Sequence, residues 1–119
     1  MVKLEFVLNN GTKLNASSET FEIASYQETL NNRQTLLVAL GDNGISKGLI
    51  QHIVMVDEEN PSNVKVDFHN GTSAHLVFPD YDAQATVSNV NNSQENFVIL
   101  GNAIINRNAI MMTSSIQSN

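Results

Sequence analysis

Residues 4–16 read Leu4-Glu5-Phe6-Val7-Leu8-Asn9-Asn10-Gly11-Thr12-Lys13-Leu14-Asn15-Ala16. Leu4, Phe6 and Leu8 recur at every second residue, and Asn10-Gly11 is a strong hairpin signal. Side-chain faces decide the loop length. A two-residue loop, Asn10-Gly11, would set Phe6 beside Asn15 and turn Leu14 to the opposite face. A three-residue loop, Asn9-Asn10-Gly11, pairs Leu8 with Thr12, Phe6 with Leu14 and Leu4 with Ala16. The apolar residues then share one face. That loop needs a left-handed residue at its third position, and Gly11 stands there.

The same device recurs sixty residues on. Asn70-Gly71-Thr72 aligns with Asn10-Gly11-Thr12 without a gap. With His69-Asn70-Gly71 as the loop, Val66 pairs with Ala74 and Val64 with Leu76. Lys65 and His75 then go together to the wet face, and a slip of one residue would invert the pattern. The register continues along the chain. Asn31-Asn32 meets Asn91-Asn92, Gln34 meets Gln94, and Val38, Leu40 and Gly41 meet Val98, Leu100 and Gly101. Ile45 and Ile50 meet Ile105 and Ile110, making eleven identities in all. A fixed internal period is the mark of a repeated structural unit. The chain is read as one domain, residues 1–119, made of pseudo-repeats 1–60 and 61–119.

Within each unit, residues 20–27 and 82–89 alternate like strands. Turns are expected at 30–32 and 91–93, followed by β runs at 34–40 and 96–100. After Gly41 the period changes. Ile45, Leu49, Ile50, Ile53 and Val54 fall at helical spacing, which predicts one short helix near residues 45–55. Residues 104–116 carry less of that pattern and predict a last strand with a frayed polar end. The expected fold is therefore mainly β, α+β at most: two pseudo-repeated antiparallel units packed as a sandwich or barrel-like domain.

Composition narrows the function classes. The 119 residues are 41% hydrophobic but only 15% charged, with a net charge of −6. The six Lys and Arg are scattered, so no basic face is offered to nucleic acid or to an anionic membrane. Seventeen Asn, many between predicted strands, suit a turn-rich chain. With no Cys there is no disulfide, thiolate metal site or Cys nucleophile. Residues 1–20 lack the apolar core of a signal peptide, and no stretch approaches the roughly 20 apolar residues of a membrane span.

The residues that could carry chemistry read as structural. His52, His69 and His75 lack metal-ligand spacing and are expected to be solvated. Asp80 and Asp82 flank Tyr81 without the other ligands of a calcium loop, and read as a polar strand start. Asp57-Glu58-Glu59 reads as a solvated linker. Gly41-Asp42-Asn43-Gly44 lacks the Gly-Lys-Ser/Thr that completes a phosphate loop, and reads as a turn. No catalytic, cofactor-binding or metal-binding residue is assigned, no cofactor is expected, and the chain is not expected to be an enzyme.

The order of these features carries a resemblance. A short strand into Asn10-Gly11-Thr12 is followed by Arg33-Gln34-Thr35-Leu36-Leu37-Val38-Ala39-Leu40, an acidic Asn60-Pro61 loop and a second hairpin at 64–77. Over roughly residues 2–100 this resembles small accessory proteins encoded in the structural gene clusters of tailed phages of Gram-positive bacteria. The resemblance implies a structural or interaction protein of the virion, such as a tail, baseplate, neck or capsid accessory subunit. Its partners would be other virion proteins and copies of itself, with no nucleic acid or membrane, and it would be assembled in the bacterial host cytoplasm. Two alternatives come from other classes: an acidic inhibitor that binds a host defence protein, and a carbohydrate-binding β module. The latter is poorly served by a chain with no Trp and only Tyr26 and Tyr81 as tyrosines.

Overall fold

A computed structural model describes residues 2–40 and 42–116. The described residues are mainly β, with ten strands in three antiparallel sheets and two α-helices. Gly41 and the predicted polar tail beyond residue 116 lie outside them.

Both hairpins take the three-residue turn. Strand β1 (Val2–Leu8) pairs with β2 (Lys13–Ser18), placing Phe6 opposite Leu14 and Leu4 opposite Ala16. The Leu8 amide donates to the Thr12 carbonyl at 2.9 Å, and Gly11 has φ of 88°. In the second unit β6 (Val64–Phe68) pairs with β7 (Ser73–Leu76), Val66 lies opposite Ala74, and Gly71 repeats the φ of 88°.

The two halves repeat one element order. In the first, α1 (Ile23–Asn31) is followed by the hairpin β3 (Leu37–Leu40) and β4 (Asn43–Ser46). A 3-10 turn at Lys47–Leu49 then leads into β5 (Ile50–Met55). In the second, α2 (Ala83–Asn92) is followed by β8 (Phe97–Leu100) and β9 (Ala103–Asn106). The turn at Arg107–Ala109 leads into β10 (Ile110–Ser115). Elements β3, β4, β5 and the turn lie sixty residues from their counterparts to the residue.

Three expectations are corrected. Residues 20–27 and 82–89 fall largely in helices, not strands. The helix expected near 45–55 is instead strand, 3-10 turn and strand. The β run expected from residue 34 begins only at Leu37. The causes are physical. In α1, Ile23, Tyr26 and Leu30 follow helical spacing and turn toward the core, while Glu22, Ala24 and Ser25 are exposed. Strand β5 is buried on both faces at Ile50, Gln51, His52 and Ile53, so it lacks the period-two signature of a half-exposed strand.

Pairing places β5 at the centre. The largest sheet runs β2-β1-β5-β9-β8, so the second half contributes its β8–β9 hairpin to the first half's sheet. Its registers, Phe6 to Ile53 and Ile53 to Ile104, put these residues on one face. That face packs with Leu30 of α1 and with Val38, Leu40 and Ile45 of the β3–β4 hairpin. The opposite face carries Val54, Val98, Ala103 and Ile105 against the three-stranded sheet β10-β6-β7. The β8–β9 hairpin thus separates two cores and feeds both. The two larger sheets face each other across the second core, and among the described residues no closed barrel forms.

Candidate interaction surface

The residues weighed for chemistry are held in structural roles. His52 is buried, not solvated, which corrects the expectation for it. Its ring stacks on Phe68 with centroids 4.7 Å apart and planes within 4°. Burial lowers its pKa to about 4, with Lys13 adding repulsion of the charged form. The Gln51 amide donates to His52 Nδ1 at 3.1 Å and to Thr72 Oγ1 at 3.1 Å. Asn70 donates to Gln51 Oε1 at 2.7 Å and to the Asn9 carbonyl at 3.0 Å. This clasp ties the two hairpin turns together. His75 is exposed opposite Lys65, as the register requires, and His69 is exposed in its turn.

The acidic residues serve local backbone. Asp82 caps α2, accepting from the Gln84 and Ala85 amides, so it opens a helix rather than a strand. Asp80 precedes it at φ of 58°. Asp57 accepts from Asn60 and Glu59 in the inter-unit loop, and Glu58 pairs with Lys3 at 2.7 Å on the surface. Asp42 lies in the β3–β4 turn and Asn43 begins β4 opposite Leu40. Among the described residues no group of three or more metal-ligating side chains comes together.

The notable surface is apolar. Seven large hydrophobic residues are exposed among the described residues, and four of them form two adjacent pairs. Leu36 and Leu37 lie at the start of the β3–β4 hairpin. Met111 and Met112 lie on the edge strand β10, and Val87 is exposed separately on α2. Both pairs sit beside open strand edges. Among the described residues, strand β4 pairs with β3 alone and β10 with β6 alone. The edge strands β2 and β7 instead expose polar side chains, Lys13, Asn15 and Ser17 on one, Ser73 and His75 on the other.

Protein-family models, curated proteins and solved structures offer no match to this chain.

An open strand edge presents unpaired amides and carbonyls as a pairing template, and apolar side chains beside it add burial to those bonds. Sequence reasoning missed this surface, and by taking residues 82–89 for a strand it also hid Val87 on the exposed face of α2. Leu36-Leu37 was the available signal. In a strand with one wet face, two adjacent leucines cannot both turn inward, and here Val38 and Leu40 take the inward positions.

Proposed function

We propose that this chain is a non-enzymatic structural subunit that works by docking its open strand edges against neighbouring proteins in a phage particle. The observation that carries the reading is the exposure of Leu36 and Leu37 at the open β3–β4 hairpin and of Met111 and Met112 on the open edge strand β10. Exposed apolar surface next to unpaired backbone is costly in an isolated protein and useful in an assembly. The phage setting is supported by the resemblance of the strand order and the Asn60-Pro61 loop to phage accessory proteins.

Mass spectrometry of purified particles of the encoding phage tests it. The chain is expected at many copies per particle. Its absence from particles, with a host nuclease as its partner in infected-cell pull-downs, would replace this reading with that of an inhibitor.

A further inference from the structure

The internal repeat makes one joint and leaves the equivalent joint open. Strand β9 of the second half completes the sheet of the first half by pairing with β5. Moved forward by one repeat, that contact would pair a β4 strand with β10. Among the described residues no such pairing exists, because β3–β4 forms a separate two-stranded sheet. The second half's sheet stops at three strands, β10-β6-β7, where the first half's reaches five.

We propose that a second copy of this chain supplies the missing hairpin, so that β4 of one copy pairs antiparallel with β10 of the next. This inference rests on the structural-subunit reading and names its partner. The register follows from the internal joint. His52 opposite Ile105, Ile53 opposite Ile104 and Val54 opposite Ala103 become Met112 opposite Ile45, Thr113 opposite Gly44 and Ser114 opposite Asn43.

The side chains around the joint agree. Phe97 is 4% exposed because α1 and the first core cover it, whereas its counterpart Leu37 is 64% exposed. Asn31 of α1 clamps Phe97, accepting its amide at 2.9 Å and donating to its carbonyl at 3.0 Å. The counterpart of Asn31 is Asn91 of α2, which is exposed and makes no side-chain hydrogen bond among the described residues. In the joint it would clamp the Leu37 backbone. Gln27, which also reaches the Phe97 carbonyl, is replaced by Val87, which would meet Leu37 by apolar contact instead. The His52–Phe68 stack becomes Met112 against the half-buried Leu8.

Three differences make the outer joint weaker than the inner one. Asn102 donates to the Met55 carbonyl at 2.6 Å, and its counterpart Asp42 cannot donate. Ile104, buried in the inner joint, is matched by Gly44. Asp42 is not the sole acid at a matched position: Asp67, cross-strand from Met112, stands where the buried Val7 pairs with His52, which weakens the outer joint further. The contact is heterologous, with hairpin on one side and strand edge on the other. Each added copy therefore presents the same free edge again, and the assembly grows into a ring or a filament, not a closed twofold dimer.

Native mass measurement of the full chain over a concentration series tests this, with Leu37→Asp and Val87→Asp as variants. Both side chains are exposed, and circular dichroism checks that each variant folds. The wild type is expected to form species larger than dimers that grow with concentration. Each variant alone is expected to be monomeric. An equimolar mixture is expected to stop at a one-to-one dimer, because each variant blocks a different end. A wild type that stays monomeric at millimolar concentration, or variants that leave its assembly unchanged, would overturn the inference. A chain that is present in particles but monomeric in solution sinks this inference alone. A chain that assembles but is absent from particles sinks the structural-subunit reading.

Discussion

His52 shows how one buried side chain links the two halves to pH. Its ring lies on Phe68, and Gln51 donates to its Nδ1, so the neutral form is the one the fold holds. The unfolded chain binds a proton near the ordinary value of 6.5, while the folded chain resists until about 4. Between those values the unfolded state carries more protons, so stability falls as pH drops, by up to about 3 kcal/mol at the lower end. Above 6.5 this contribution is flat. Urea unfolding at a series of pH values is expected to show that loss in the wild type and a much flatter profile in His52→Phe. Asp67, held below its ordinary value of 3.8 by the Ser73 hydroxyl, loses its contribution only below that window. The burial of His52 was illegible in the sequence because β5 is covered on both faces, so no alternation marks which polar residue is enclosed. The turn glycines were legible, since only one loop length kept Leu4, Phe6 and Leu14 on a common face.

At the scale of elements, the two Asn-Gly hairpins were read correctly and the helices were not. Hairpin register follows from local parity and a left-handed glycine, both visible within about a dozen residues. Helix α1 was obscured because Phe21 and Ile23 mimic strand alternation just before its helical face begins. The helix expected near 45–55 arose from the reverse error, in which two strands joined by a tight turn space their inward residues as a helix would. The two helices also start differently. Asp82 caps α2 through the Gln84 and Ala85 amides, while Glu22 at the matching position of α1 makes no side-chain cap. Asp82→Ala is expected to lower stability by about 1 kcal/mol, measured by chemical denaturation. Glu22→Asp, which places a good capping residue at the equivalent position, is expected to raise it by a few tenths to about 1 kcal/mol. A neutral result for both would show that neither cap contributes.

At the scale of the whole molecule, the period of sixty residues was legible, but how the halves join was not. Nothing in local pattern says that a hairpin of one half completes the sheet of the other, because that choice is made by packing between distant segments. Phe97 and Ile104 serve the first core while Val98 and Ile105 serve the second, so the β8–β9 hairpin belongs to both halves. The repeat then leaves one hairpin and one strand edge unused, with Leu37 exposed on the one and Met112 on the other. The most direct measurement uses the absence of native cysteine. Asn43→Cys and Ser114→Cys would lie directly opposite each other across the joint, within the separation a disulfide spans. Mixed and oxidised, these two single variants are expected to give a linked dimer rapidly and in high yield. The pair Asn43→Cys and Ser17→Cys, which places the second thiol on the β2 edge, is expected to link slowly. Equal cross-linking of the two pairs, or none in either, would contradict head-to-tail pairing of β4 with β10.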